Sequence, residues 1–283
     1  MKRGWKRFGA GVLGLLVCTL VWSVWIEPRW LAVREVPVVL PQWAGPPDFK
    51  VAVAADWHLT RKPLWRVTTV ERARAIVRDI NAAQPDVILL PGDFIADRDF
   101  GAGQPLSAEE EIASILGELR APFGVYAVLG NHDWWHDGPG FMAALRRHGI
   151  SVLENEALQV PGLPLWLVGV GDDSTGHSQP GRAMQGLPAD QTALVMMHDP
   201  ASLREMRPFR GFAVAGHTHG GQISIPGIGA LVVPGAAPKS WVHGWVQHGG
   251  NQIYVSSGIG VSILPVRFNM RPEWVMFQLR KAE

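Results

Sequence analysis

Histidines and acidic residues form an ordered series in this chain, each group closing a short apolar run. The run 51–55 ends in Asp56-Trp57-His58, the run 87–90 in Pro91-Gly92-Asp93, and the run 125–129 in Gly130-Asn131-His132-Asp133. Further on, 193–197 ends in His198-Asp199-Pro200, and 211–215 ends in Gly216-His217-Thr218-His219-Gly220-Gly221-Gln222. Imidazole nitrogens combined with carboxylate and amide oxygens suit Mn, Fe or Zn, and a carboxylate can bridge two ions. The single cysteine, Cys18, excludes a cysteine-rich zinc site and an intrachain disulfide. Asp56, His58, Asp93, Asn131, His198, His217 and His219 are too many donors for one tetrahedral ion. They suffice for two ions that share a carboxylate and keep positions open for water and substrate.

The elements that must carry these donors follow from the apolar pattern. Strand-like runs at 51–55, 87–90 and 125–129 alternate with helical patterns over 67–83 and 108–119, the rhythm of βαβ units with buried, largely parallel strands. From residue 163 strand-like runs dominate, at 165–170, 193–197, 212–215, 230–233, 241–247, 253–256 and 275–279, with one short helix over 201–206. This predicts an α/β fold of two packed sheets flanked by helices. In such sheets ligands bind at the carboxyl ends of the strands, where the five polar groups fall. Gly92 and Gly130 would let the backbone turn and approach closely there. His217 and His219, two apart in an extended segment, would face one cavity. His136, His148, His177, His243 and His248 lie outside the series and read as solvated or core residues.

The net charge of +1, from 26 basic and 25 acidic side chains, provides no field that would recruit nucleic acid. Lys2, Arg3, Lys6 and Arg7 precede an uncharged stretch, 8–26, about as long as the ~20 residues that cross a hydrocarbon core. Trp22, Trp25 and Trp30 suit the membrane interface, and bulky residues stand where a signal peptidase needs small ones. A retained single-pass anchor follows, in the cytoplasmic (inner) membrane if the cell is a bacterium. Four basic residues before the span against Arg29 and Arg34 after it place the folded part on the extracytoplasmic, periplasmic side. The expected organisation is a basic head and anchor helix at 1–30, a proline-containing linker at 31–47, and one catalytic domain at 48–283.

Asp56-x-His58, Gly92-Asp93, Gly130-Asn131-His132-Asp133, His198 and Gly216-His217-x-His219 together resemble the calcineurin-like metallophosphoesterase superfamily, over residues 48–280. The longer motif through Gln222, with Ser256-Ser257-Gly258-Ile259-Gly260 and Arg267-Phe268-Asn269, is similar to its bacterial membrane-associated phosphodiesterase subgroup. The resemblance implies a four-layer αββα sandwich, here behind an N-terminal transmembrane helix, and a pair of divalent ions. It implies that Asp56, His58 and His219 hold the first ion, that Asn131, His198 and His217 hold the second, and that Asp93 bridges them. His132 corresponds to the catalytic histidine that stabilises phosphoryl oxygens and protonates the leaving oxygen. The ions would acidify a bridging water, so that hydroxide attacks in line without a covalent enzyme intermediate.

Two departures qualify the match. The aspartate that follows the bridging one three residues on in many relatives is Ala96 here, with Asp97 one step later, so Asp97 or Asp133 would orient His132. Trp57 separates the first two ligands, as core packing or as substrate wall. Trp134, Trp135 and Trp65 are candidate stacking or packing residues, and Gly220-Gly221 a candidate space for the substrate phosphate. The expected activity is hydrolysis of a phosphodiester or pyrophosphate on a lipid-linked or nucleotide-linked substrate. The alternatives are a pyrophosphate hydrolase acting on a UDP-diacylglucosamine-type substrate, and a non-catalytic metal-binding membrane protein.

Overall fold

The computed structural model describes residues 2–62, 67–96 and 100–282; Trp65 and Asp97 lie outside the described residues. In chain order the helices are α1 (Lys2–Val21), α2 (Val70–Ala82), α3 (Ala108–Leu116) and α4 (Asn131–Arg147). The strands of the two large sheets are β1 (Ala32–Val39), β2 (Phe49–Val53), β3 (Val87–Pro91), β4 (Val125–Val128), β5 (Ser151–Val152), β6 (Glu156–Gln159), β7 (Leu165–Val170), β8 (Thr192–Met197), β9 (Arg210–Ala215), β10 (Gly244–His248), β11 (Asn251–Val255) and β12 (Glu273–Arg280). One sheet runs β1-β12-β2-β3-β4-β5 and the other β10-β11-β9-β8-β7-β6. Each is mixed: β2, β3, β4 and β5 are parallel, as are β7, β8, β9 and β11, while β12 runs antiparallel to β2 and β10 antiparallel to β11.

The uninterrupted apolar runs are explained by burial on both faces. Successive side chains of a strand point to opposite sides. In β3, Val87 and Leu89 enter the core between the sheets, while Ile88 and Leu90 pack under α2, α3 and α4. In β8, Leu194 and Met196 face the first sheet, while Ala193, Val195 and Met197 face outward to Leu203 and Trp241. The layers are therefore helices, sheet, sheet and a thinner outer layer of short helical turns, Pro180–Ala183 and Pro200–Glu205. α2 shows why the helices seat: Thr69 caps it by accepting from the Arg72 amide, and Val70, Ala73, Ile76, Val77 and Ile80 form its buried stripe.

Two expectations are corrected, and one helix comes as an addition. The segment 31–47 is not a linker along its length, because β1 occupies its first half and pairs in parallel with β12 from Ala32↔Glu273 to Val39↔Arg280. Its outward charges and Pro37 conceal it, and an edge strand tolerates both. No strand spans 230–233; a two-residue hairpin pairs Ser224–Ile225 with Gly229–Ala230, and Leu231 and Val232 are exposed. The helix α4 was hidden by Gly138-Pro139-Gly140. It is broken at Asp137 (φ −160°, ψ 84°), whose side chain accepts from the Gly140 amide and restarts the helix with Pro139 in its first turn.

The stretch Trp5–Arg29 is long and apolar enough to cross a membrane, and little of it is buried against the body. Its end is nevertheless docked. The Arg267 amide donates to the Ser23 carbonyl at 2.9 Å, and the Met270 amide to buried Glu27 Oε1 at 2.6 Å. Arg271 donates to the carbonyls of Trp30 and Leu31. The apolar helix thus leads directly into the folded body.

Beyond β5, Glu154 is a largely buried carboxyl, pushed up to about 8 by burial and then by neighbouring Asp172. Its ordinary value is 4.5. Below that both folded and unfolded chains hold the proton; above it the unfolded chain loses the proton first, so stability falls as pH rises toward the folded value. Replacing Glu154→Gln removes this slope. Urea melts are expected to show the variant gaining about 2 to 4 kcal/mol over wild type between about pH 5 and pH 8; parallel pH profiles for the two would contradict this.

Candidate metal centre

Five strand ends converge at one edge where the two sheets meet. Asp56 and His58 follow β2, Asp93 follows β3, Asn131 follows β4, His198 follows β8, and His217 and His219 follow β9. The loops continue to pair beyond the strands, with the Asp56 amide on the Gly92 carbonyl and the His58 amide on the Asp93 carbonyl, both at 3.0 Å. Two further bonds tie one sheet to the other: the His217 amide donates to Asp56 Oδ1 at 2.9 Å, and His198 Nδ1 lies 2.7 Å from the Pro91 carbonyl. Asp56, His58, Asp93, His217 and His219 all hold positive φ, between 45° and 67°. A non-glycine residue in this region costs about 1 kcal/mol or more, and such strain collects at functional sites. The two histidines of the last motif therefore do not face the cavity through strand alternation. Their left-handed backbones and the turn that starts at His219 turn both rings inward.

The donors form three overlapping groups: Asp56, His58 and His219; Asp93, His198 and His217; and His58, Asp93 and His132. Asp93 Oδ2 stands 3.4 Å from His58 Nε2 and 3.3 Å from His198 Nε2, so one oxygen lies between two imidazoles. His58 Nε2 and His219 Nε2 are 3.0 Å apart. His198 Nε2 is 3.1 Å from both Asn131 Oδ1 and His217 Nδ1. With its Nδ1–H on the Pro91 carbonyl, a neutral His198 would present an Nε2 lone pair to two oxygens and another nitrogen. Such a gathering of acceptors requires positive charge among them.

The electrostatics agree. Burial acts to raise Asp93, but the surrounding imidazoles, His198 foremost, hold it well below the usual carboxylate range. Burial acts to lower His198, but Asp93 outweighs it and raises the ring well above its ordinary value. His217 is lowered by burial and then by His198, and His219 well below its ordinary value by burial and then by His58. Burial pushes Asp56 up to about 7. Its Oδ2 is buried with no hydrogen-bond partner among the described residues, as expected of a carboxylate built to meet a cation. The residues present thus fit a divalent metal site around Asp93.

Residues 49–221 match the model of the calcineurin-like phosphoesterase family. The chain belongs to that family. It is 33% identical to phosphodiesterase YaeI of Escherichia coli over 89% of this chain and 90% of that protein. It is 27% identical to metallophosphoesterase YkuE of Bacillus subtilis over 99% of both chains. The UDP-2,3-diacylglucosamine pyrophosphatase LpxG of Chlamydia trachomatis is 22% identical over 76% of this chain and 77% of its own length.

Around the donors of this phosphoesterase, several residues act as supports. Asp133 accepts from the amides of Asp93, Phe94 and Gly130 at 2.8 to 2.9 Å, and of Ile95 at 3.3 Å. Its carboxylate clamps the Asp93 loop to the start of α4 and is not spare for orienting His132. Burial, then Asp93, pushes it up to about 8, and the N–H donors act against this. Gly130 permits the approach, since a Cβ there would lie 2.2 Å from Asp93 Oδ1. Asp199 Oδ2 lies 3.6 Å from His217 Nε2 and accepts from the Ser174 hydroxyl at 2.9 Å, behind the ring whose Nδ1 faces the site. Arg267, wholly buried, donates to the carbonyls of Ser257, Gly258, Gly260, His219 and Met270 and knits the last two site loops together.

A cavity of about 590 Å³ opens over the donors, with Asp93, Asn131, His132, Trp135, His217 and Ile263 in its wall. The His132 ring is half-buried at its lip, 4.7 Å from the His58 ring and 5.2 Å from Trp135. Trp57 belongs to the core, fully buried with its indole N–H on the Ala54 carbonyl. Trp134 stacks on His177 at 3.6 Å. Gly220 and Gly221 do not make room for a phosphate: a Cβ would meet the Met270 side chain at 2.3 Å at the first and Ala230 at 2.4 Å at the second.

Asp199 reaches the His217 ring through the Ser174 hydroxyl, 3.3 Å from Nε2, and losing a carboxylate behind a histidine ligand weakens metal affinity about 10- to 100-fold. Asp199→Asn is expected to lower Mn²⁺ affinity by that range in calorimetric titration, with unchanged melting of the metal-free chain. Equal affinity would remove Asp199 from this role.

Proposed function

We propose that Asp56, His58 and His219 hold one divalent ion, that Asn131, His198 and His217 hold a second, and that Asp93 serves both. The observation that carries this reading is the position of Asp93 Oδ2 between His58 and His198. When bound, such a pair supplies Lewis-acid stabilisation of phosphoryl oxygens and lowers the pKa of water. Mn, Fe and Zn all match the nitrogen and oxygen donors.

The chain's own residues supply the rest. The Asp133 clamp holds the Asp93 carboxylate still. The His132 amide at the start of α4 donates to Asp93 Oδ1 at 2.9 Å, which leaves Oδ2 turned toward the imidazoles. The His132 ring, at the cavity lip and outside the two ligand sets, contacts the phosphoryl group and delivers a proton to the departing oxygen. Trp135 forms an aromatic wall beside it. The reaction is hydrolysis of a phosphodiester or pyrophosphate bond. The docked apolar helix and the relatives named as a phosphodiesterase and as a UDP-2,3-diacylglucosamine pyrophosphatase support a lipid-linked or nucleotide-linked substrate.

The bonds of Ser23, Glu27, Arg29, Trp30 and Leu31 to the body support a retained helix, a single-pass anchor in the cytoplasmic membrane. The excess of basic residues ahead of the span supports an extracytoplasmic domain. The similarity to LpxG favours a second reading, cleavage of a nucleotide-linked acylated sugar, which a cytoplasmic location would favour.

Full-length protein in mild detergent is expected to hydrolyse an aryl phosphodiester with added Mn²⁺ and to lose activity on chelation. His132→Ala is expected to lower kcat by about 10²- to 10⁴-fold with metal content unchanged. Wild-type turnover in that variant, or none by the metal-loaded wild type on diesters and pyrophosphates alike, would contradict the proposal.

A further inference from the structure

Two loops bordering the cavity carry large apolar side chains into solvent. Ile228 and Val232 are 74% and 72% exposed on one, and Ile263 and Leu264 are 81% and 54% exposed on the other. Neither 222–238 nor 252–266 contains a charged residue. A soluble surface does not ordinarily present such a patch, and one beside a functional opening marks a contact site.

Both loops spring from the hydrogen-bonded block that receives the end of the anchor. The Arg267 and Met270 amides bond to Ser23 and Glu27. The next residue toward the loops, Phe268, accepts from the Ser224 amide and donates its own amide to the Gln222 carbonyl, which fixes the first loop. The Gln222 side chain accepts from the Ser262 amide at 2.6 Å and donates to the Ser262 carbonyl at 3.0 Å, which fixes the second. At the same junction Arg271 lies over the Trp30 ring at 4.0 Å and Arg29 over Trp25 at 4.8 Å, a basic and aromatic collar suited to lipid headgroups. A short, rigid path therefore joins the membrane end of the anchor to both apolar tips.

We infer that the tips at 228–232 and 263–264 rest in the headgroup and acyl boundary of the same bilayer that the anchor enters, so that the metal cavity opens onto the lipid surface. The inference rests on the anchoring part of the proposed function. It selects a bilayer as occupant because the tips share a bonded block with the anchor's end and carry no charge to pair with a polar partner. Ile263 lines the cavity as well as the exposed tip, so the apolar surface runs from the lipid boundary to the donors. A phosphoryl group on a membrane-embedded lipid then reaches the site while its chains stay in the bilayer. The tips act as a wedge that sets the height and tilt of the domain.

The test uses the full chain in phosphatidylcholine and phosphatidylglycerol vesicles with an environment-sensitive fluorophore on one cysteine. The native Cys18, exposed on α1, reports the anchor. In a Cys18→Ser background, Val232→Cys and Leu264→Cys report the two tips separately, and Lys281→Cys, just past the far end of β12, reports bulk solvent. Tip labels are expected to shift to the blue and to be quenched about twofold or more by lipid spin-labelled near the headgroups, a depth of ~5–10 Å, and Cys18 by lipid spin-labelled deep in the acyl chain, while position 281 is quenched by neither. If Cys18 is quenched and positions 232 and 264 behave like 281, the inference fails and the anchor stands. If Cys18 is not quenched either, the anchoring reading fails with it. Two independently labelled tips guard against a single variant that misfolds.

Discussion

One carboxylate oxygen governs the architecture of the site. Asp93 Oδ2 sits within 3.4 Å of two imidazole nitrogens, and around them gather a second carboxylate, an amide oxygen and two more rings. Nearly all of these groups are acceptors or lone-pair donors, and nearly all are buried. Burial alone would penalise that arrangement by several kcal/mol per unpaired charge. It is tolerable only with positive charge at its centre. The inverse shifts of Asp93 and His198 are the same requirement expressed through protons, which substitute for the cations the donor set fits.

Much of the surrounding structure serves to hold those groups against their mutual repulsion. The two sheets are bonded together at the site through Asp56 and the His217 amide, and through His198 and the Pro91 carbonyl. Five site residues keep left-handed backbones, a cost that the continued pairing of the 56–59 and 92–94 loops offsets. Asp133 and Arg267 work in opposite chemical senses toward one end: a buried carboxyl accepts from amides around the Asp93 loop, and a buried guanidinium donates to carbonyls behind His219 and the 257–260 loop. The end of the N-terminal apolar helix bonds to the segment that carries Arg267, so that helix and the centre share one hydrogen-bonded frame.

The donors themselves were legible because each closes an apolar run, and parallel strands buried on both faces bring their ends to one edge. The layered α/β order followed from the same runs. What the sequence hid was whatever depends on pairing rather than periodicity. β1 is an edge strand whose charges and proline imitate a linker. α4 contains a break at Asp137 that reads as a loop. The roles of Asp133 and Asp199 were concealed because an aspartate beside a histidine looks the same whether it faces metal, amides or solvent. Gly220-Gly221 looked like open space, and only the packing of Met270 and Ala230 shows that it is filled. Arg267 had a visible signal in its motif with Phe268 and Asn269, yet its contacts with five carbonyls were not deducible from it.

The claim on which the rest depends is that one carboxylate serves two cation positions. Equilibrium binding of Mn²⁺ to the full-length protein, with bound metal counted directly, tests it when wild type is compared with Asp93→Asn. The account predicts about two ions per wild-type chain at saturation and a loss of affinity at both positions in the variant. Saturation of wild type at a single ion, or a variant that retains one position at full affinity, would contradict it.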